Sequence, residues 1–278
     1  MTISTQDGAL AGMQSPRPFA KAVTPTLVAG VPLSTWYLGG YPGAGVADTT
    51  TSGGVARTSS SSMVAGQIPH VDPVSGNSYL GRLQASAGQA GTLLLCDRLW
   101  DCGYSVTAAG AIPSTLTTAQ TINSVTWPAR DNAQSTNGDG VLIGVEVSTI
   151  MGVGTPTLTL GYTNQAGTAS RTATNLDSVA ASSVVGTFHR FGLQAGDTGV
   201  RSVQTYTKSA TRTSGQEILV AYRVLAALEL TAAHVPNAID ALTAGFPRLP
   251  NGVVPFLLFI PSTTTAINIS GTFVETQG

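Results

Sequence analysis

Thr157-Leu158-Thr159-Leu160-Gly161-Tyr162-Thr163 is the stretch on which the reading of this chain turns. Leu158, Leu160 and Tyr162 fall on one side of an extended segment, and Thr157, Thr159 and Thr163 fall on the other. A period of two belongs to a strand with one buried and one wet face. Threonine suits the wet face, because its branched Cβ fits the pleat and its hydroxyl meets water without a charge. The same alternation returns where Ile267, Ile269 and Phe273 oppose Asn268, Ser270 and Thr272. Between Ile218 and Leu225 both faces are apolar, which predicts a central strand. Further strands are expected over Thr92 to Arg98, Thr118 to Trp127, Gly140 to Ser148, Ser170 to Asn175, Val200 to Lys208 and Val254 to Ile260. Turns are expected at Asn137 to Gly140, Asn164 to Gly167 and Gln194 to Asp197.

About nine strands at this spacing predict an all-β fold, a two-sheet β-sandwich of the jelly-roll type. One short helix is expected over Ala238 to Ala244, with Asn237 as its cap, Gly245 as its stop, and Pro236 and Pro247 confining it. The pattern changes near residue 92. Residues 1–91 are rich in Gly, Pro, Ser and Ala without a sustained period, and predict an extended N-terminal arm. Residues 92–278 predict the sandwich domain.

Only 10% of the residues are charged, against about 25% in ordinary globular proteins. Lys21 and Lys208 are the only lysines, the arginines are scattered singly, and the net charge is −1. Nothing here tracks a phosphate backbone, so nucleic-acid binding is not expected. The apolar windows Val253 to Ile260 and Ile218 to Leu228 are broken by Pro255 and Arg223. Neither reaches the ~20 residues of a membrane helix. No cleavable signal is expected, and the reading is a soluble protein made in the cytoplasm. Cys96 and Cys102 are expected to be reduced, partly buried thiols.

Residues that could carry chemistry each have a plainer explanation. His70 lies in Pro69-His70-Val71-Asp72-Pro73, where a His–Asp base is conceivable, but no nucleophile motif accompanies it. Glu146 sits within an apolar strand; facing inward it could serve as an acid, and the plainer reading is that it faces outward or pairs with an arginine, with no second carboxylate standing out as its partner. Asp131, Asn132, Asn137 and Asp139 offer oxygen ligands, yet their spacing departs from a calcium loop and Asn-Gly turn chemistry accounts for them. No catalytic, cofactor or metal site is expected, and the chain reads as non-enzymatic.

Several segments resemble virion structural proteins of tailed bacteriophages: Ala90 to Trp100, Thr126 to Asp131, Ala195 to Ser202, Pro236 to Leu242 and Phe256 to Thr264. The resemblance covers roughly two thirds of the chain and implies a β-rich particle component without chemistry of its own. Within that class it implies a capsid decoration or cement protein, residing in the virion and contacting the major capsid protein or other virion proteins. Such proteins oligomerise, often as trimers. A tail, neck or baseplate component, or a receptor- or glycan-binding module, remains the alternative. The expected interface lies in the arm: Trp36 and Tyr37 as anchors, Phe19 and Tyr41 near them, and Arg17 and Arg57 as hydrogen-bonding partners. The competing expectation is that these aromatics pack back on their own sandwich.

Overall fold

The computed structural model describes residues 3, 5–23, 26–59, 63–106, 109–115 and 117–278. One helix, α1 (Gln6–Ala11), opens the described chain, and the Thr5 side chain accepts from Gly8 N at its start. The first strands are β1 (Arg17–Val23), β2 (Leu33–Ser34), β3 (Gly40–Tyr41), β4 (Val55–Ala56), β5 (Ser78–Ala87) and β6 (Gly91–Cys102). There follow β7 (Tyr104–Ser105), β8 (Gly110–Ala111), β9 (Gln120–Thr121), β10 (Leu142–Thr149), β11 (Leu158–Asn164), β12 (Arg171–Asn175) and β13 (Phe188–Gly192). The last are β14 (Val200–Lys208), β15 (Gln216–Leu230), β16 (Asn237–Asp240), β17 (Arg248–Leu249), β18 (Pro255–Pro261) and β19 (Ile267–Gln277). The all-β expectation therefore holds, with a single short helix among the described residues. No helix among the described residues is long and apolar enough to cross a membrane.

The chain forms two compact units. The first comprises Met1–Gly45, Thr58–Asp97 and Val224–Gly278; the second comprises Val46–Arg57 and Arg98–Arg223. In the first unit, one antiparallel sheet runs β16-β5-β19-β1-β3, and β18 lies between β2 and β6 in another. Leu83, Ala85 and Ala87 of β5, Ile269 and Phe273 of β19 and Phe19 of β1 share one buried cluster with Leu93, Leu95, Leu257 and Phe259. Two sheets closing on one apolar layer is the sandwich that the alternation demands.

In the second unit β10 pairs with β15 and β13, and the order then continues β13-β12-β11-β14-β9. The order β14-β11-β12-β13 is a Greek key. Leu158, Leu160 and Tyr162 lie in this unit's core with Val203, Tyr206, Trp100 and Trp127, so the threonine stripe faces outward as read.

Three expectations change. The segment expected as a helix begins with β16, which pairs Asn237 to Asp240 against Ala85 to Arg82 of β5, followed by a turn over 241–245. The seven residues from Ala238 to Ala244 give a helix too little length to offset its nucleation, whereas a strand gains a full ladder and packs Ile239 on the core. Asn237 donates to Glu229 O instead of capping, and Asp240 caps the turn by accepting from Leu242 N and Thr243 N. Gly245, at φ +72°, still ends the segment. Of the strand expected over Thr118 to Trp127, only β9 forms; beyond it Ile122 N and Ser124 N bond irregularly to Gln204 O and Val203 O. The compact units also do not follow a division at residue 92. β1, β2, β3 and β5 belong to the first unit's sheets, because Phe19, Leu33 and Leu83 supply part of its core.

Candidate interaction surfaces

The thirteen basic and fourteen acidic residues are distributed unusually. Twelve of them are buried: Lys21, Asp97, Arg98, Asp101, Arg130, Asp131, Glu146, Asp177, Lys208, Arg212, Glu217 and Glu275. Only six are well exposed: Asp7, Arg82, Arg201, Glu229, Asp240 and Arg248. Burying a charge is costly unless it is paired and hydrogen-bonded, and the local geometry meets that condition. In the second unit Arg98 donates to Glu146 Oε2 at 2.7 Å and to Asp101 Oδ2 at 2.9 Å. Arg57 forks onto Asp101 at 2.9 and 2.8 Å, and Arg130 caps the Arg57 carbonyl at 2.8 Å. Lys208 is held by Glu217 and by Pro113 O. In the first unit Lys21 donates to the carbonyls of Leu38, Pro42 and Gly43, and its burial lowers its pKa to about 8.

The residues singled out for chemistry are committed to the same internal work. Glu146 does not face outward: it is fully buried and pairs with Arg98, since an apolar strand that is covered on both faces leaves its carboxylate to an internal arginine. His70 is wholly buried between Glu275 Oε1 and Asp72 Oδ1, each at 2.9 Å. Burial opposes its charge, but the hydrogen bonds and charges of Glu275 and Asp72 outweigh that and raise its pKa. His189 is buried in the second unit and neutral, its pKa driven down to about 4 by burial and then by the Arg212 charge. The Asp131 carboxylate accepts from Ala133 N, Ser135 N, Ser135 Oγ, Gly138 N and Asp139 N. Burial opposes the Asp131 charge, and the donors from Ser135, Gly138 and Asp139 prevail and lower its pKa. The same donors occupy the lone pairs that a calcium ion would need. Among the described residues no cluster of His, Cys, Asp and Glu has metal-holding geometry. Cys96 and Cys102 are free and buried.

Of the six residues expected at an interface, one presents a ring to solvent. Phe19 and Trp36 are 1% and 0% exposed. Trp36 meets Phe256 edge-on at 6.2 Å, and a Cβ at Gly45 would come within 2.2 Å of Trp36 Nε1. Tyr37 is half-buried, Arg17 reaches Glu275 at 3.4 Å, and Arg57 is spent on Asp101. These placements follow the competing expectation, in which the aromatics pack on their own fold. Tyr41 alone is open, at 52% exposure.

Two open surfaces remain on the first unit. A groove of about 350 Å³ is lined by Ile3, Tyr79, Leu242 and Phe246, and a neighbouring hollow of about 230 Å³ adds Leu10 and Met13. Leu10 and Leu242 protrude at its rim with 60% and 63% exposure. Sequence reasoning missed this groove, although Leu10 and Met13 beside a Thr5 cap were its legible trace. The second surface is the outer face of the β5-β19-β1-β3 sheet, built from small, amide and hydroxyl side chains.

No protein-family model and no curated protein matches the chain. Among solved structures it is similar to the VP2 subviral particle of infectious bursal disease virus, at 9% identity and TM-score 0.19, over 95% of this chain and 80% of that one. It is similar to the Gx strain of the same virus at 10% identity and TM-score 0.17, over 95% and 81%. A T13 particle of that virus gives 12% identity and TM-score 0.16, over 96% and 78%. Scores this low do not establish a common topology.

Proposed function

We propose that this chain is a non-enzymatic structural component of a tailed-bacteriophage virion, a capsid decoration or cement protein. One observation carries the reading: charge is withdrawn from the surface, with twelve charged residues buried and six well exposed. A hydroxyl-rich surface can be covered by a neighbour without stripping ions of their water, which suits a protein held permanently in a particle. The groove beside α1 supplies the apolar contact such a protein needs, since exposed apolar patches of this kind mark interaction sites. In this reading the groove receives an apolar side chain of the major capsid protein, and copies of the chain associate as trimers. The sequence resemblance to tailed-phage virion proteins supports the same role.

Quantitative mass spectrometry of purified virions of the encoding phage tests this. The protein should occur in a fixed copy number, and Leu10→Asp with Leu242→Asp should reduce its incorporation at least about tenfold. Absence from purified virions, or incorporation indifferent to the groove, would refute the reading.

A further inference from the structure

The outer face of the first unit's sheet has a defined chemical character. Strand register places Tyr41, Ala20, Ser270 and Ser86 in one row across β3, β1, β19 and β5. Pro18, Thr272, Gln84 and Ala238 form an adjacent row, and Ala22 with Asn268 begins a third. The alternate residues Phe19, Leu83, Ala85, Ile269 and Phe273 are buried in the core, so these rows point outward. Ala20 and Ala22 are too small to cover the Tyr41 ring. The amides and hydroxyls of Gln84, Ser86, Asn268, Ser270 and Thr272 stand beyond it, and a shallow hollow of about 160 Å³ lies over Gln84, Ser86, Ser270, Thr272 and Pro236. The three rows hold no charged residue; Arg82 and Asp240 belong to the row beyond.

We propose that this face binds a neutral oligosaccharide, with Tyr41 stacking on one ring and the amide and hydroxyl row engaging the sugar hydroxyls. A pyranose offers an apolar C–H face, which an exposed aromatic ring accepts, and a rim of hydroxyls, which amides and hydroxyls pair. At ~4.8 Å between strands, the row from Tyr41 to Ser86 is ~14 Å long, room for a short chain of rings. The absence of charge matches a neutral glycan and gives an anionic one nothing to pair with. A protein partner would want several large apolar anchors, and this face has one ring. The groups sit on paired strands, so little ordering opposes binding. Such binding does not depend on the particle role, and its failure would leave that role standing.

Saturation-transfer NMR tests it, using neutral tri- and tetrasaccharides of glucose, galactose, mannose and N-acetylglucosamine at millimolar concentration. The expected result is transfer to at least one series, weakened about tenfold by Tyr41→Ala and retained by Tyr41→Phe. Asn268→Ala should weaken binding further, with unchanged melting temperatures showing that the variants fold. No transfer to any series would overturn the proposal. So would binding indifferent to Tyr41→Ala.

Discussion

Replacing Glu146 by glutamine would strike the buried charge network at its centre. Arg98 has 0% exposure and rests on Glu146 and Asp101, while Asp101 is already forked by Arg57. The variant withdraws one of the carboxylates that hold Arg98 and adds no compensating charge. Removing one member of a buried pair costs about 3–5 kcal/mol, a large share of a typical total of ~5–15 kcal/mol. Equilibrium unfolding in urea reads the loss, since Trp100 and Trp127 stand 6.0 Å apart in the same unit and report on it by fluorescence. The midpoint should fall with the slope unchanged. The companion variant Arg98→Met with Glu146→Leu removes both charges together and should recover most of the loss, because apolar replacement of a whole pair is often neutral. A loss below about 1 kcal/mol for Glu146→Gln, or a double variant no better than the single, would refute the reasoning.

The two buried histidines give stability opposite pH limbs. His189 has a folded pKa of about 4 against an ordinary 6.5, so its contribution is present above pH 6.5 and is lost as pH falls towards 4, up to about 3 kcal/mol. The folded pKa of His70 is raised, so its contribution is present below pH 6.5 and is lost as pH rises through the raised value. His189→Phe should flatten the acid limb and His70→Gln the alkaline one in unfolding measured across pH; survival of either limb in its variant would contradict the assignment. Burial, with Asp97 beside it, pushes the Cys96 thiol well up, and burial pushes Cys102 to about 12. Neither should react with Ellman's reagent in the native protein, and both should react in denaturant. Gly144→Ala should destabilise by about 1–3 kcal/mol, because its Cβ would meet Phe188 Cε1 at 2.1 Å; a thermal melt reads it, and an unshifted melting temperature would contradict that packing.

The strands were legible where side chains alternate. Val200 to Lys208 forms as read, and Leu158 to Tyr162 buries the face its pattern assigns. The Ala- and Leu-containing segment after Pro236 misleads because local propensity ignores β5, whose edge takes Asn237 to Asp240 as a strand. The aromatics near the N-terminus mislead for a related reason: Gly- and Pro-rich spacing hides that Phe19 and Trp36 fold back on distant strands. The charge networks were out of reach of sequence spacing altogether. Glu146 lies 48 residues from Arg98, and Glu275 lies 205 from His70. The sparse charge was visible in composition, but its inward placement was not.

Titration of the purified protein into virions lacking it, at low salt and in 1 M NaCl, tests the central claim most directly. An interface made of hydroxyls and apolar groups predicts saturable binding at fixed stoichiometry, changed by no more than about twofold at high salt, where exposed charges are screened within ~3 Å. Failure to bind, or an affinity that collapses with salt, would contradict the account.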